Sequence, residues 1–262
     1  MLAVTAVCYE LMSLAVWHFM PQLADQFMTL SIWGTVCNIL CIQCGWCMDN
    51  VFINNPTWYI CVLMLCYIIF WLITDRSRKK NISPVYGYLI MIALGFSLIK
   101  IKAEYPFFNE NAARGYIAFF LGLLLAIAED RYELHGGIGA SCFLAAVGVL
   151  LALSGETNTI CYLLFPLIIL LFTSDRVEKI FSAKVWNILG AIQFHTFLWH
   201  LIIIECARII MALSGADIKK RIYMFITAVI AELVGTLSYF LLDKPMDRLF
   251  MAVLPKKKAA VK

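Results

Sequence analysis

Charged side chains are scarce in this chain of 262 residues: Asp, Glu, Lys and Arg make up 15% of it, whereas 63% of the residues are hydrophobic. Soluble globular domains carry about 25% charged residues, so the chain has too few polar side chains to cover a water-facing surface. A soluble enzyme is therefore excluded. The composition instead predicts a membrane protein, in which apolar side chains face lipid.

A cleavable secretory signal is also missing from the first twenty residues. No basic segment comes before this apolar stretch, and no small-residue cleavage site comes before Pro21, although a signal peptide needs both features. The apolar stretches also lack the alternation of polar and apolar residues that transmembrane β-strands show. We therefore expect helices, in which the backbone satisfies its own hydrogen bonds in lipid.

Nine apolar stretches between polar breaks predict an all-α, polytopic transmembrane helical bundle. A spanning helix needs about 20 apolar residues, but Glu10 and His18 interrupt the first stretch and the fifth is short. We therefore expect eight or nine helices, and a single integral membrane domain over residues 1–262. The stretches are 2–20, 28–48, 57–74, 84–101, 115–128, 137–154, 158–173, 187–213 and 222–242.

The distribution of Lys and Arg predicts which side of the membrane each loop faces. Residues 255–262 form a basic tail that contains Lys256, Lys257, Lys258 and Lys262. Such a tail marks a cytoplasmic end rather than an arm that binds nucleic acid. With the tail in the cytoplasm, 14 Lys and Arg residues lie inside and six lie outside. We expect a multi-pass protein of the cell membrane, surrounded by the lipid bilayer, with a cytoplasmic C-terminus.

Cys37, Cys41 and Cys44 have the C-x3-C-x2-C spacing with which radical-SAM enzymes hold an iron–sulfur cluster. Such a cluster needs three thiolates that converge from a loop. Here the cysteines lie in a continuous apolar run, and positions i, i+4 and i+7 form one stripe on a helix. We expect a helix with packed or lipid-facing cysteines, and no metal or other bound cofactor.

Ionisable side chains inside the apolar stretches are candidate functional groups, because a charge in the bilayer costs a few kcal/mol. Glu205 and Arg208 stand three residues apart on the eighth stretch, which fits either a functional site or an ion pair that satisfies itself. Glu232 lies midway along the last stretch without a local partner. We expect it to face the bundle interior, toward Arg208, where an ion pair that packs two helices is the alternative to a functional role.

Two histidines, His195 and His200, lie five residues apart in the eighth stretch. That spacing turns them about 140° apart on a helix, so they cannot chelate one metal ion from one face. A buried imidazole is well suited to act as a general base. We single out His200 as the candidate, with a hydrogen-bonded packing residue as the alternative.

Arg114 and Trp58 lie at the predicted outer entrances of two spans. Arg114 ends a loop that begins at Lys102, where a guanidinium can bind a phosphate or carboxylate with two hydrogen bonds or extend to the interface to reach water. Trp58 follows Asn-Asn-Pro-Thr at another entrance. Anchoring in the membrane interface is sufficient to explain this tryptophan.

Four segments, taken in this order, resemble the acyltransferase-3 family of integral membrane O-acyltransferases. The first shares a Pro-x-Trp-Tyr span entrance with the family, and the second shares an "Arg, aromatics, Phe-Phe, x-Gly" span that matches Arg114, Phe120 and Gly122. The third resembles a late span of the family and matches Trp199 and His200. The fourth resembles its closing segment and matches Pro245 and Arg248. The segments read NNPTWYICVLMLCYIIFWLI, RGYIAFFLGLLLA, FHTFLWHLIII and LDKPMDRLF.

The resemblance implies transfer of an acyl group, often acetyl, from a cytoplasmic acyl-CoA pool to a hydroxyl of a carbohydrate such as a cell-envelope polysaccharide. It also implies about ten spans, with a general-base histidine in the first and an arginine eleven residues before it. This chain departs from that pattern, since the residue eleven positions before His18 is Val7 and not an arginine. We expect the chain to be N-terminally short, so that it is either inactive or receives the missing spans from a partner chain.

As a hypothesis that rests on the resemblance, Arg114, Trp58 and His200 line the remaining cavity and bind the substrate. A transporter or flippase is the competing class. In that class Glu205, Arg208 and Glu232 would form a substrate or proton path, although the two halves show none of the internal repeats typical of such folds. A non-catalytic membrane subunit is a third possibility.

Overall fold

The computed structural model describes residues 1–23, 31–46, 57–132, 138–153, 179, 181–215 and 220–253. Two short strands, β1 (Glu104–Tyr105) and β2 (Phe108–Asn109), pair antiparallel. A π-helical turn, Tyr239–Asp243, joins the last two helices. In chain order the α-helices are α1 (Leu2–Phe19), α2 (Ile32–Ile39), α3 (Gln43–Trp46), α4 (Trp58–Lys80), α5 (Val85–Ile101), α6 (Glu110–Tyr132), α7 (Ile138–Leu153), α8 (Lys184–Ser214), α9 (Lys220–Ser238) and α10 (Lys244–Val253).

Within the described residues, five helical stretches are long and apolar enough to cross a membrane. They are α1, α4, α6, α8 and the stretch Ile222–Ala252, which runs through α9, the π-turn and α10. The apolar helix α5 is shorter, at 17 residues. The all-α class agrees with the prediction, whereas a count of eight or nine transmembrane helices is not confirmed. The predicted span 158–173 and the basic tail 255–262 lie outside the described residues.

The predicted span 28–48 is wrong as a continuous helix. Ser31 caps α2 by accepting a hydrogen bond from the Gly34 amide at 3.0 Å, and α2 then ends after eight residues. Cys41 has a φ of 56°, a left-handed backbone conformation that does not continue a right-handed helix. The cysteines therefore form no single helical stripe: Cys37 lies on α2, Cys41 lies in the turn and Cys44 lies on α3.

The described residues fall into two compact units. Unit 1 comprises the described residues within 1–40, residue 57 and those within 187–253, and unit 2 comprises the described residues within 41–46 and 58–186. We describe each unit by itself.

In unit 2, helices α4, α5 and α6 pack around a core that includes Tyr88, Tyr116 and Phe120. The hairpin before α6 fixes the start of this helix, because Asn109 Oδ1 accepts from the Ala112 amide at 3.0 Å. The Asn109 amide group also donates to the Cys44 carbonyl at 2.8 Å, which ties the hairpin to α3. Helix α6 runs from Glu110 to Tyr132 and so extends beyond the predicted stretch 115–128 at both ends.

In unit 1, α8 packs against α1 and against the stretch formed by α9 and the π-turn. Tyr9 of α1 and Ile202 of α8 are buried together, and Val16 and Ile209 form a second apolar cluster nearby. The Tyr223 hydroxyl of α9 donates to the Ile204 carbonyl at 2.9 Å. Helix α8 therefore lies at the centre of the polar contacts that follow.

Candidate functional site

One face of α8 carries two buried ionisable side chains of unit 1. Buried residues recur every three or four positions along this helix, which is the spacing of a single helical face. Two of them are polar, His195 and Glu205, whereas His200 is only half-buried. The buried positions are Ile192, His195, Leu198, Ile202, Glu205 and Ile209.

His195 is held on both ring nitrogens. Its side chain is 2% exposed; Nδ1 lies 3.3 Å from Ser238 Oγ, and Nε2 lies 3.2 Å from Asp243 Oδ2. An ionised carboxylate only accepts hydrogen bonds, so Nε2 carries the proton of the neutral imidazole. Nδ1 is then the acceptor, and the Ser238 hydroxyl donates to it. This chemistry assigns one tautomer to His195.

The π-turn brings both partners of His195 to the same ring. Ser238 ends α9 and Asp243 follows five residues later, a spacing that would point the two side chains about 140° apart on an α-helix. Within the turn, the Lys244 amide donates to the Tyr239 carbonyl five residues back, which widens the helix locally. Tyr239 also packs its ring edge-on against His195, with centroids 5.5 Å apart.

Thr196 and Gly235 mark the closest approach of α8 and α9. A Cβ placed on Gly235 would lie 2.7 Å from the Thr196 backbone nitrogen, so only glycine permits this packing. Thr196 Oγ1 donates to Glu232 Oε2 at 3.0 Å. The expected orientation of Glu232 toward Arg208 is therefore wrong, because Arg208 lies about 18 Å further along α8 from Thr196.

Glu205 and Arg208 form the ion pair that their spacing allows. Arg208 Nη1 lies 2.8 Å from Oε1 and 3.1 Å from Oε2 of Glu205. The Tyr9 hydroxyl of α1 interacts electrostatically with both of these groups. The pair satisfies the buried Glu205 carboxylate, as a charge inside an apolar bundle requires.

Two polar groups near Tyr9 are buried without such compensation. Both carboxylate oxygens of Glu10 and the Trp199 indole nitrogen are inaccessible, and within the described part of the chain they have no hydrogen-bond partner. Trp199 packs against the cluster of Tyr9 and Ile202, and Glu10 interacts electrostatically with the Tyr9 hydroxyl. Buried polar groups in proteins are nearly always hydrogen-bonded, so these two are exceptional.

The predicted substrate-binding residues are divided between the two units: Arg114 and Trp58 belong to unit 2, and His200 belongs to unit 1. Arg114 is exposed and pairs with Glu110 one turn earlier on α6. Trp58 starts α4 and packs against the core of unit 2, with its ring centroid 6.3 Å from that of Tyr59. His200 belongs to unit 1, where its Nδ1 lies 2.6 Å from the Phe197 carbonyl oxygen.

A cavity of about 260 Å³ lies between α4 and α6 in unit 2. Its walls are almost entirely apolar, and the described residues that line it include no carboxylate. Neither Arg114 nor Trp58 lines it. Its shape and chemistry suit an aliphatic chain better than a polar substrate. The lining includes Tyr59, Val62, Leu63, Cys66, Phe119 and Leu125.

Sequence reasoning missed several members of the polar clusters, and His195, Asp243 and Glu10 are the instructive ones. It favours His200 over His195, although the recurrence of buried positions on α8 puts His195 on the interior face. Asp243 stands in the closing segment LDKPMDRLF, directly before the matched Lys-Pro. In the sequence, Glu10 was interpreted only as an interruption of the first apolar stretch. An intramembrane carboxylate is itself a functional signal.

The model of the acyltransferase-3 family, described as an acyltransferase domain, matches residues 1–241. This range contains α1, α8 and α9, and with them Glu10, His195 and Trp199. No curated protein and no solved structure matches the chain. The family match favours an acyltransferase over the transporter interpretation. Because it covers most of the chain and agrees with the four sequence segments, the protein belongs to the acyltransferase-3 family of membrane acyltransferases.

Proposed function

We propose that the protein transfers an acyl group, with acetyl as the expected one, from a cytoplasmic acyl-CoA donor to a hydroxyl of a cell-envelope carbohydrate. The observation that carries the proposal is the family match over residues 1–241. The five apolar stretches of spanning length in the described part of the chain support a location in the membrane. The excess of Lys and Arg in the predicted inner loops supports a cytoplasmic C-terminus in the cell membrane.

Acyl transfer to a hydroxyl requires a base. The acceptor oxygen attacks the thioester carbonyl, a C–O bond forms, the C–S bond breaks, and the CoA thiolate leaves. The acceptor proton must pass to a group with a free lone pair. In this proposal His195 is that base, because Asp243 keeps the proton on Nε2 and leaves the lone pair on Nδ1.

Ser238 connects this lone pair to the acceptor. The imidazole is 2% exposed and its Nδ1 faces the Ser238 hydroxyl. A substrate hydroxyl that binds beside Ser238 would pass its proton to Ser238 Oγ, while the Ser238 proton moves to Nδ1. The same arrangement of hydroxyl, imidazole and carboxylate activates oxygens in other acyl-transfer enzymes. Contacts of Arg114, Trp58 and His200 with the substrate stay predictions.

The test compares two histidines of the same helix. Purified protein in lipid vesicles receives radiolabelled acetyl-CoA and a cell-envelope polysaccharide, and alkali-labile acetyl esters on the polysaccharide are measured. We expect His195→Gln to lower kcat by about 100-fold or more, which is the rate contribution typical of a general base. The KM for acetyl-CoA should be nearly unchanged. His200→Gln keeps kcat and, as a substrate-binding residue, raises the KM for the acceptor.

Two outcomes contradict parts of the proposal separately. If the unaltered protein forms no acetyl ester, the proposed reaction is wrong. If it forms the ester and His195→Gln is as fast as the unaltered protein, the reaction stands and the assignment of His195 as the base is wrong.

A further inference from the structure

The apolar cavity of unit 2 takes no part in the proton transfer proposed above, yet a space of about 260 Å³ needs an occupant. It lies between α4 and α6, which are both long and apolar enough to span a membrane. Among the described residues that line it, Tyr59 and Cys66 carry the polar side-chain atoms. A buried water needs two to four polar partners, so hydrocarbon fits this space better than water does.

The lining of the cavity on α6 has surface that a ligand can contact. All of its α6 residues are half-buried rather than buried. Gly122 is one of them, and a Cβ placed on it would meet nothing within 4 Å. The missing side chain at this position therefore leaves space in the cavity. The α6 lining consists of Gly115, Ala118, Phe119, Leu121, Gly122 and Leu125.

The length of the cavity corresponds to one leaflet of a bilayer. Its lining on α6 runs from Gly115 to Leu125, which is about 15 Å along the helix axis. The hydrocarbon core of a bilayer is about 30 Å thick, so the cavity covers about half of it. A lipid tail that extends from the headgroup region to the middle of the bilayer has this length.

A cationic side chain stands beyond one end of the cavity. Arg114 precedes Ala118, Leu121 and Leu125 by four, seven and eleven residues, so it lies on the cavity face of α6. It is exposed and stands at the predicted outer entrance of this span. A guanidinium binds a phosphate with two hydrogen bonds. Its contact with Glu110 uses Nη2, and an exposed pair of this kind contributes little, so a phosphate can compete for the guanidinium.

We propose that the cavity and Arg114 form a binding site for a phospholipid of the outer leaflet, with one tail between α4 and α6 and the phosphate on Arg114. This inference goes beyond acyl transfer and does not rest on it. The chain of a long acyl-CoA fits less well, because the donor is expected in the cytoplasm and Arg114 lies at the predicted outer end. A substrate contact of Arg114 stays a separate prediction.

Photolabelling in lipid vesicles tests the site without acetyl-CoA or polysaccharide. The full chain is placed in phosphatidylcholine vesicles with a small fraction of phosphatidylglycerol that carries a diazirine in one tail. After irradiation, mass spectrometry of peptides locates the adducts. Leu63 lines the cavity, whereas Trp71 of the same helix is 63% exposed and reports the surrounding lipid. The readout is the ratio of adducts at Leu63 to adducts at Trp71.

Gly122→Leu fills the cavity and should lower this ratio by about fivefold or more, because a tail forced into filled space meets the cost of overpacking. Gly190→Leu on α8 is the matched control, since a Cβ there also meets nothing within 4 Å, and should keep the ratio. Gly122→Ala fills less space and should lower the ratio less. Thermal unfolding of each variant in detergent shows whether the helices still pack.

Two further probes with the same photoreactive chain test the headgroup: a diacylglycerol, which has no phosphate, and an acyl-CoA. Phosphatidylglycerol should give a ratio about two- to fivefold higher than diacylglycerol, the range expected for one exposed charge contact. Arg114→Gln should remove this difference. Lys79→Gln, which breaks an exposed pair with Asp75 on α4, should preserve it.

Three results would each overturn the phospholipid site. An unchanged ratio in folded Gly122→Leu and Gly122→Ala would show that no tail enters the cavity. Equal ratios for phosphatidylglycerol and diacylglycerol would show that the cavity takes hydrocarbon without regard to the phosphate. A higher ratio for acyl-CoA than for phosphatidylglycerol would assign the cavity to the chain of an acyl donor.

Discussion

His195 Nε2 lies 3.2 Å from Asp243 Oδ2, although 48 positions separate the two residues in the chain. The contact joins the interior face of α8 to the end of the π-turn and fixes the tautomer of the imidazole. Ser238 completes the arrangement on the other ring nitrogen. The proposed proton transfer depends on this geometry, which can be disturbed one atom at a time.

Asp243→Asn tests the carboxylate that orients His195. An amide can either donate to or accept from Nε2, so the lone pair on Nδ1 is no longer fixed. We expect kcat for acetyl transfer to fall by about 100-fold, with little change in the KM for acetyl-CoA. Asp247→Asn, an exposed carboxylate on α10, should keep the original rate. Equal rates for the two variants would show that Asp243 does not orient a base.

Gly235→Ala tests the close approach of α8 and α9. The new Cβ would meet the Thr196 backbone, so the helices must separate. We expect destabilisation by about 1–3 kcal/mol, read as a lower apparent unfolding midpoint in detergent. The control is Gly190→Ala, because a Cβ at this position of α8 meets nothing within 4 Å. A helical alanine there should be neutral or stabilising by up to about 1 kcal/mol. Equal midpoints for the two variants would contradict the packing.

A double-mutant cycle tests the pair of Glu205 and Arg208. Arg208→Gln leaves a buried carboxylate without its cation, so we expect it to lower the unfolding midpoint more than Glu205→Gln does. The double variant contains two neutral amides and should be more stable than additive losses predict, by about 0.5–3 kcal/mol. Additive losses would mean that the 2.8 Å contact contributes no coupling energy.

Arg114→Ala separates substrate binding from stability in unit 2. The exposed pair of Arg114 and Glu110 should contribute less than about 1 kcal/mol to folding. If Arg114 binds the substrate, as the sequence predicts, the variant inserts normally and its KM for acceptor or donor rises severalfold. Lys79→Ala removes an equally spaced exposed pair, with Asp75 on α4, and should leave KM unchanged. Identical kinetics for both variants would count against a binding role for Arg114.

The helical class was predictable because composition alone decides it. A chain with 63% hydrophobic residues must satisfy its backbone internally in lipid, and helices do so. The ion pair of Glu205 and Arg208 was equally accessible, since i,i+3 spacing places two side chains together on any helix. The family resemblance, which residues 54–250 already carried, agrees with the match over residues 1–241.

The segment around Cys41 shows where hydrophobicity misleads. An apolar run of 21 residues predicts a span, but its continuity depends on the backbone conformation of single residues. A positive φ at Cys41 and the contact of Asn109 with the Cys44 carbonyl divide the run into two short helices. A local hydrophobic pattern cannot predict a contact with a residue 65 positions away in the chain.

Composition thus predicted a helical membrane protein and local spacing predicted the ion pair of Glu205 and Arg208, because these properties depend on neighbours along the chain. The family followed from the resemblance of four segments and from the match over residues 1–241. Tertiary packing decided which histidine is buried and which residues it meets. The π-turn brings Ser238 and Asp243 to His195, and the close approach at Gly235 gives Glu232 its partner, Thr196. Those contacts join different helices, and their geometry follows from how the helices dock rather than from the periodicity of any one of them.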